Sequence, residues 1–273
     1  MADRPEATPG VRAMDSNSPD GLKTAVFRFM NKSISIKCFP HDNIFKTLSR
    51  GEIWETHNSY FLANKALKPD SVFFDIGANV GYYSIIGALL LNAGQVVAVE
   101  PHPRIFDVLK NNLSAYLSDR VHLENVALGE ANGMVGIDFS DAESGQTHVN
   151  KSRSDVRMTT LDDLSAQYGY PTVIKMDVEG LEADVLYGGR KTLTDGRPSI
   201  VMEFAPQNAG RSRYSLVGSL RWLEKKGYQI YFFRGHSGWA AEPISADVIS
   251  ALFDYWISIG HPGHMDLMIS PPD

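Results

Sequence analysis

Only one cysteine, Cys38, occurs in the 273 residues. That excludes an intramolecular disulfide framework and a zinc site built on cysteines, and it fits a reducing compartment such as the cytoplasm. Positive charge is also in short supply. There are 26 Lys and Arg against 32 Asp and Glu, a formal net charge of −6, so no overall field draws in phosphate backbones and a nucleic-acid partner is not expected. Long apolar runs are missing. The longest, Ile85–Leu91, falls far short of the ~20 residues that span a bilayer. The start, Met1-Ala2-Asp3-Arg4-Pro5-Glu6, lacks the charged-then-apolar layout of a signal peptide, so no membrane partner is expected. Large apolar residues are nearly absent from residues 1–21, which read as a disordered tail. No internal repeat or low-complexity stretch is visible.

What is present is an ordinary globular composition, 43% apolar and 21% charged, on a chain long enough to bury roughly 70–75% of its unfolded surface. Residues 22–68 read as an extension, with a strand pair about Asn31-Lys32 and a helical stretch Ile44–Ala66 broken near Gly51. From Pro69 the pattern sharpens into strands alternating with helices: Ser71–Asp75, Val80–Asn92, Val96–Val99, Pro103–Leu117 and Val121–Ala127. Further strands are expected at Thr172–Met176, Ser199–Met202, Tyr228–Phe233 and Met265–Ile269, with helices at Leu181–Leu193 and Tyr214–Lys226. This rhythm predicts an α/β fold over residues 69–273, with a seven-stranded, mostly parallel sheet and helices on both faces. Two insertions interrupt it. Residues 129–170 carry an expected hairpin, Met134–Phe139 with Val156–Thr160, and a polar tip at 140–148; residues 234–264 carry an apolar helical stripe through Val248, Ile249, Leu252, Phe253 and Trp256. The stripe can serve as a lid, as a homodimer face or as ordinary core.

The chemistry concentrates in the segment Asp75-Ile76-Gly77-Ala78-Asn79-Val80-Gly81, which joins the first strand of this unit to its helix. Gly77 and Gly81 allow a tight turn and close approach of a ligand. Asn79 breaks the G-x-G-x-x-G dinucleotide pattern, and the loop has no P-loop lysine. Asp75 on the approach repels a pyrophosphate but suits an ammonium or a water-bridged amine. Nineteen residues beyond Gly81, Glu100 tips the second strand, where a carboxylate accepts both hydroxyls of a ribose. An adenosine and an amino acid without phosphate is S-adenosylmethionine.

The stretches Val72-Phe73-Phe74-Asp75-Ile76-Gly77-Ala78-Asn79-Val80-Gly81-Tyr82-Tyr83-Ser84, Val99-Glu100-Pro101-His102-Pro103 and Asn125-Val126-Ala127-Leu128-Gly129 resemble three successive motifs of the FkbM family of S-adenosylmethionine-dependent methyltransferases. Thr160-Leu161-Asp162-Asp163-Leu164 and Ile174-Lys175-Met176-Asp177-Val178-Glu179-Gly180 are similar to the remaining two. The resemblance covers about residues 50–205. It implies a class I, Rossmann-like methyltransferase fold, O-methylation of a sugar or natural-product hydroxyl, and cofactor contacts from Asp75, Gly77, Asn79, Gly81, Glu100, Pro101, Asn125, Ala127 and Asp177.

Acids also tip the later strands. Asp177, Glu179 and Glu203 are the expected catalytic or acceptor-binding residues, since a hydroxyl is a poor nucleophile until its proton is taken. Glu179 can instead cap the next helix, and Lys175 can pair with Asp177 or Glu203. No metal is expected, because the acids lack a neighbouring Asp or Asn. His261 and His264, at a Pro-Gly turn, are lesser candidates for a base. A nicotinamide-dependent oxidoreductase and a non-catalytic methyltransferase-like binding protein remain as rival readings; Asp75 and Asn79 count against the first, the intact acids against the second.

Overall fold

The computed structural model describes residues 21–91, 94–138, 148–150, 155–205, 211–233, 241–260 and 264–272. Residues 1–20 of the expected tail, residues 140–147 of the polar tip and His261 lie outside these. The chain opens with a hairpin of β1 (Lys23–Phe29) and β2 (Lys32–Cys38). Met30 and Asn31 turn it with φ of 45° and 63°, the two-residue loop whose twist suits a right-handed hairpin. Ala25, Phe27 and Phe29 alternate inward with Ile34, Ile36 and Cys38. Two short helices follow, α1 (Asn43–Ser49) and α2 (Thr56–Phe61), the second running into a π-turn at Leu62–Ala66.

The body follows the expected alternation: β3 (Val72–Ile76), α3 (Tyr82–Leu90), β4 (Gln95–Val99), α4 (Pro103–Leu113) and β5 (Val121–Glu124). A small sheet comes next, with β6 (Ala127–Leu128), β7 (Gly133–Asp138), β8 (His148–Asn150) and β9 (Val156–Thr159). The chain continues through α5 (Leu161–Tyr168), β10 (Val173–Met176), α6 (Glu182–Gly188) and β11 (Ser199–Phe204). It closes with α7 (Leu216–Lys225), β12 (Gln229–Phe233), β13 (Ala241–Pro243), α8 (Ala246–Ser258) and β14 (Met265–Ser270).

The main sheet runs β13-β12-β14-β11-β10-β3-β4-β5. It therefore has eight strands rather than the expected seven, because Ala241–Pro243, inside the 234–264 insertion, adds to the edge of β12. Pairing is parallel from β11 to β5 and antiparallel around β14. The third expected strand, Val121–Ala127, is two strands in two sheets. Asn125 breaks it: its side-chain amide donates to the carbonyls of Glu100 at 2.8 Å and Pro101 at 3.0 Å, which holds the chain out of the ladder. The expected hairpin in the 129–170 insertion is β7 against β9.

Two apolar layers cover the sheet. One packs Phe73, Val96, Ala98, Val173 and Val201 against the N-terminal hairpin, α3 and α4. The other packs Phe74, Val97, Ile174, Met202 and Phe204 against α6, α7 and α8. Helix α8 does not form a lid. Ile249 is buried, Phe253 meets Phe204 at 5.8 Å, and Arg221 of α7 bonds Asp247 at 2.8 Å, so half of the expected stripe is core while Val248 faces out. The chain leaves β3 toward β4 and β5, then returns to add β10 on the other side. That reversal opens a crevice beyond the carboxyl ends of β3 and β10, the place where open α/β sheets bind ligands.

Candidate active site

The crevice is a cleft open to solvent at this edge of the sheet. Its walls are Ile76, Gly77, Asn79, Val99, Glu100, Pro101, Val126, Ala127, Leu128, Ile137, and Asp177 to Glu179 with Leu181. Five strand ends thus supply an apolar slot with carboxylates at both ends. Of the sequence-predicted residues, Gly77, Asn79, Glu100, Pro101, Ala127, Asp177 and Glu179 line it, whereas Asp75, Gly81, Asn125 and Glu203 do not.

The glycine loop is built to hold Glu100. The N–H groups of Gly77 and Ala78 both donate to the Val99 carbonyl at 2.9 Å. The Asn79 N–H donates to Glu100 Oε2 at 3.0 Å, and the His102 N–H donates to Oε1 at 2.9 Å. Asn79 sits at φ 49°, a left-handed conformation that Asn tolerates better than most residues. Burial pushes the Glu100 carboxyl up to about 7 despite these two bonds. Three successive loop amides, those of Gly77, Ala78 and Asn79, are therefore spent within the protein and are not offered to a dinucleotide pyrophosphate.

Gly77 has a second reason to be glycine. At φ 79°, a Cβ there stands 1.8 Å from the Asp177 carbonyl oxygen, so the loop and the end of β10 touch main chain to main chain. Asp75 lies beneath the loop. It is 1% exposed, and it accepts the Ser84 hydroxyl at 2.5 Å and the Ser84 main-chain N–H. It thereby caps the start of α3, where a negative charge also meets the positive end of the helix dipole. Burial raises its carboxyl to about 6.

Past Asp177 a second group of polar side chains occupies the sheet face that the N-terminal extension covers. At its centre is Lys175, 2% exposed, with Nζ 3.5 Å from Asp177 Oδ2 and 4.0 Å from Glu55 Oε2. Burial works against its charge, but Asp177, Glu55, Asp266 and Asp75 together hold its pKa above the ordinary value. Glu55 comes from the turn before α2, at φ 38°, and accepts bonds from Tyr83 Oη at 2.7 Å and Asn58 Nδ2 at 2.9 Å. Burial favours its neutral form, yet Lys175 and these donors leave its carboxyl below the usual range. Glu203 is pushed up to about 9, by burial first and then by Asp177. Asp266, facing Glu203 across the β11–β14 ladder, is raised to about 6 by burial and then by Glu55. His264 Nε2 lies 4.0 Å from Glu203.

Sequence reasoning missed Glu55, Asn58 and Asp266. None lies in a glycine loop or at a parallel strand tip; Asp266 is the second residue of an antiparallel strand, and Glu55 stands at the N-cap of α2 without a side-chain capping bond. Among the described residues, no set of three or more His, Cys, Asp or Glu side chains is arranged to hold a metal ion, and no helix is long and apolar enough to cross a membrane.

Residues 75–230 match the family described as Methyltransferase FkbM domain. The chain is 28% identical over 193 residues to 2-O-methyltransferase NoeI of Sinorhizobium fredii, covering 63% of this chain and 78% of that protein. It is 31% identical over 123 residues to hexuronic acid methyltransferase AglP of Haloferax volcanii, covering 44% of this chain and 50% of that protein. Among solved structures it is similar to methyltransferase FkbM from Methylobacillus flagellatus KT, at 17% identity and a TM-score of 0.49, covering 76% of this chain and 45% of that one.

Proposed function

This chain belongs to the FkbM methyltransferase family, and from that premise we propose that its crevice holds S-adenosylmethionine and that a hydroxyl of a sugar-like small molecule is presented to it at Asp177. The observation that carries this reading is Glu100. It is a buried carboxylate at the tip of the second strand of the unit, with each oxygen fixed by one main-chain N–H and lone pairs left over toward the crevice. Such a group accepts two vicinal hydroxyls, as a ribose offers. The apolar wall of Val126, Ala127 and Leu128 suits the flat adenine beside it.

When bound, the cofactor supplies a methyl group on a sulfonium, an electrophile whose leaving group is a neutral sulfide. The chain's own contribution is to bring the acceptor up to it in line and to take its proton. Asp177 is suited to both. It lines the crevice, its Oδ2 is held by Lys175, and its Oδ1 is buried with no hydrogen-bond partner. The acceptor hydroxyl donates to the open side of the Asp177 carboxylate, and the proton passes to that group. Glu203, raised to about 9, keeps its proton at neutral pH and donates a hydrogen bond rather than acting as base. Glu179 stands on the crevice wall at φ 54° and helps to shape the acceptor entrance.

The two curated relatives, one named for 2-O-methylation and one for a hexuronic acid, support a sugar hydroxyl as the acceptor class. The test is transfer of labelled methyl from S-adenosylmethionine to a panel of glycosides. In it, Asp177→Asn should bind S-adenosylhomocysteine as the parent does but lose ~10²-fold or more in turnover. Near-normal turnover in that variant removes Asp177 from the proton transfer.

A further inference from the structure

The acids beyond Asp177 form a row. Glu203 and Asp266 are direct partners across the β11–β14 ladder. Continuing the β10–β11 register from Met176 opposite Met202 sets Asp177 beside Glu203, and continuing the β12–β14 register from Phe232 opposite Leu267 sets Phe233 beside Asp266. Met176, Met202, Leu267 and Phe232 all pack in the layer on the opposite face, so alternation turns Asp177, Glu203, Asp266 and Phe233 to the side covered by the extension. Four neighbouring strands span roughly 14 Å at about 4.8 Å each, the reach of a mono- or disaccharide. At the far end Phe233 meets His57 and Phe61 of the extension edge to face, each at 5.8 Å. Along the row, Glu55, Asp177 and Glu203 keep 25–31% of their side-chain surface open.

Two acceptor atoms here are buried without a hydrogen-bond partner. One is Asp177 Oδ1; the other is Oδ1 of Asn58, a residue with 0% exposure whose Nδ2 bonds Glu55. Orphaned buried acceptors are rare in folded proteins and call for donors. Asp177, with 31% of its side-chain surface open, can turn its carboxylate to meet a polyol, whereas Asn58 is fully buried and serves only to hold Glu55 in the row. Charge narrows the choice further. Glu55, Asp177 and Asp266 all act on the buried cation Lys175, while Glu203 holds its proton, so three carboxylates against one lysine leave the row electronegative.

We propose that the acceptor lies along this row, from Asp177 to Phe233, and that the row selects a neutral or ammonium-bearing glycoside and rejects a uronate. This rests on the methyl-transfer reading above but concerns a separate quantity, the order of acceptor affinities. Hydroxyl and ammonium donors meet the carboxylates, and a sugar face rests against the aromatic end. A uronate carboxylate meets like charge at Asp266 and Glu55, which binding surfaces use to exclude wrong partners.

The experiment uses the full chain saturated with S-adenosylhomocysteine. Binding of a methyl glucoside, the corresponding glucosaminide and the corresponding glucuronide is measured by saturation-transfer NMR, and labelled methyl transfer to each is measured in parallel. The neutral and amino probes should bind at least tenfold more tightly than the glucuronide. Asp266→Asn should narrow that gap at least threefold, Glu55→Gln should narrow it likewise, and Phe233→Ala should weaken all three probes alike; thermal melting checks that each variant is folded. Equal or tighter binding of the glucuronide, binding of none of the probes, or a gap unchanged in both acid variants overturns the proposal. The expected order of binding without methyl transfer to any probe leaves the row's selectivity standing and removes the methyl-transfer reading. Transfer that favours the glucuronide does the reverse.

Discussion

Protonation of Glu100 should set the pH dependence of cofactor binding. In the free protein burial places this carboxyl at about 7. Two ribose hydroxyls can both donate only to the carboxylate, so cofactor binding competes with a proton. If the bound carboxyl titrates well below pH 6, linkage makes the affinity at pH 6 about tenfold weaker than at pH 8, ~1.4 kcal/mol, with about half a proton released on binding at pH 7. The same group acts on stability with the opposite benefit. Its folded pKa lies above its unfolded value, so between about pH 4.5 and 7 the folded state holds the extra proton, and stability falls as pH rises through that window by about 3 kcal/mol. Titration calorimetry with S-adenosylhomocysteine in buffers of different ionisation enthalpy reads both the affinity and the proton count. Glu100→Gln should lose ~1.5–3 kcal/mol of affinity at pH 8, the range for a hydrogen bond to a charged group, and should lose the pH slope as well. Affinity that is flat from pH 6 to pH 8 in the parent, or a slope that survives in the variant, refutes the assignment of Glu100 to the ribose.

Other outcomes follow from the same geometry. Asp75→Ala should lower stability by ~1–2 kcal/mol in thermal or urea melts, because it strips the cap from α3; an unchanged melt would show that its bonds to Ser84 do not support the helix. Gly77→Ala should destabilise severely, since its Cβ meets the Asp177 carbonyl at 1.8 Å and φ is 79°, and a variant with parental stability and turnover would contradict that contact. Glu203→Gln should flatten part of the stability loss that accompanies rising pH toward 9, because its raised carboxyl holds a proton in the folded state across that range; urea melts at pH 6 and pH 9 compare the two proteins. EDTA should leave methyl transfer intact, and loss restored by Mg²⁺ would show that the acids bind a cation after all.

The glycine-loop side of the crevice was legible because it is local in sequence. A tight turn between a strand and a helix, left-handed at Gly77 and Asn79, must be written in Gly and Asn, and a parallel strand that feeds a crevice ends at its tip, where Glu100 stands. The near-continuous apolar runs of β3, β4, β10 and β11 likewise showed that both faces of the sheet are covered. Local pattern was a weaker guide to where pairing stops. Nothing in Val121–Ala127 announces that Asn125 will leave the ladder to bond Glu100 and Pro101, because its partners lie 24 and 25 residues away. Nor does Ala241–Pro243 carry an alternation that marks an edge strand.

The sequence by itself thus determined the α/β alternation, the glycine loop and the strand-tip acids, each of which depends on neighbours a few residues apart. Tertiary structure alone decided what those acids face. Lys175 meets Glu55 across 120 residues of chain, and Glu203 faces Asp266 across 63. It also decided that Asp75 is spent on capping α3 while Asp177 keeps an oxygen unpaired. A carboxylate's charge, proton and partners are set by the groups within a few ångströms in space and by the water that burial removes, and neither can be read from the order of residues along the chain.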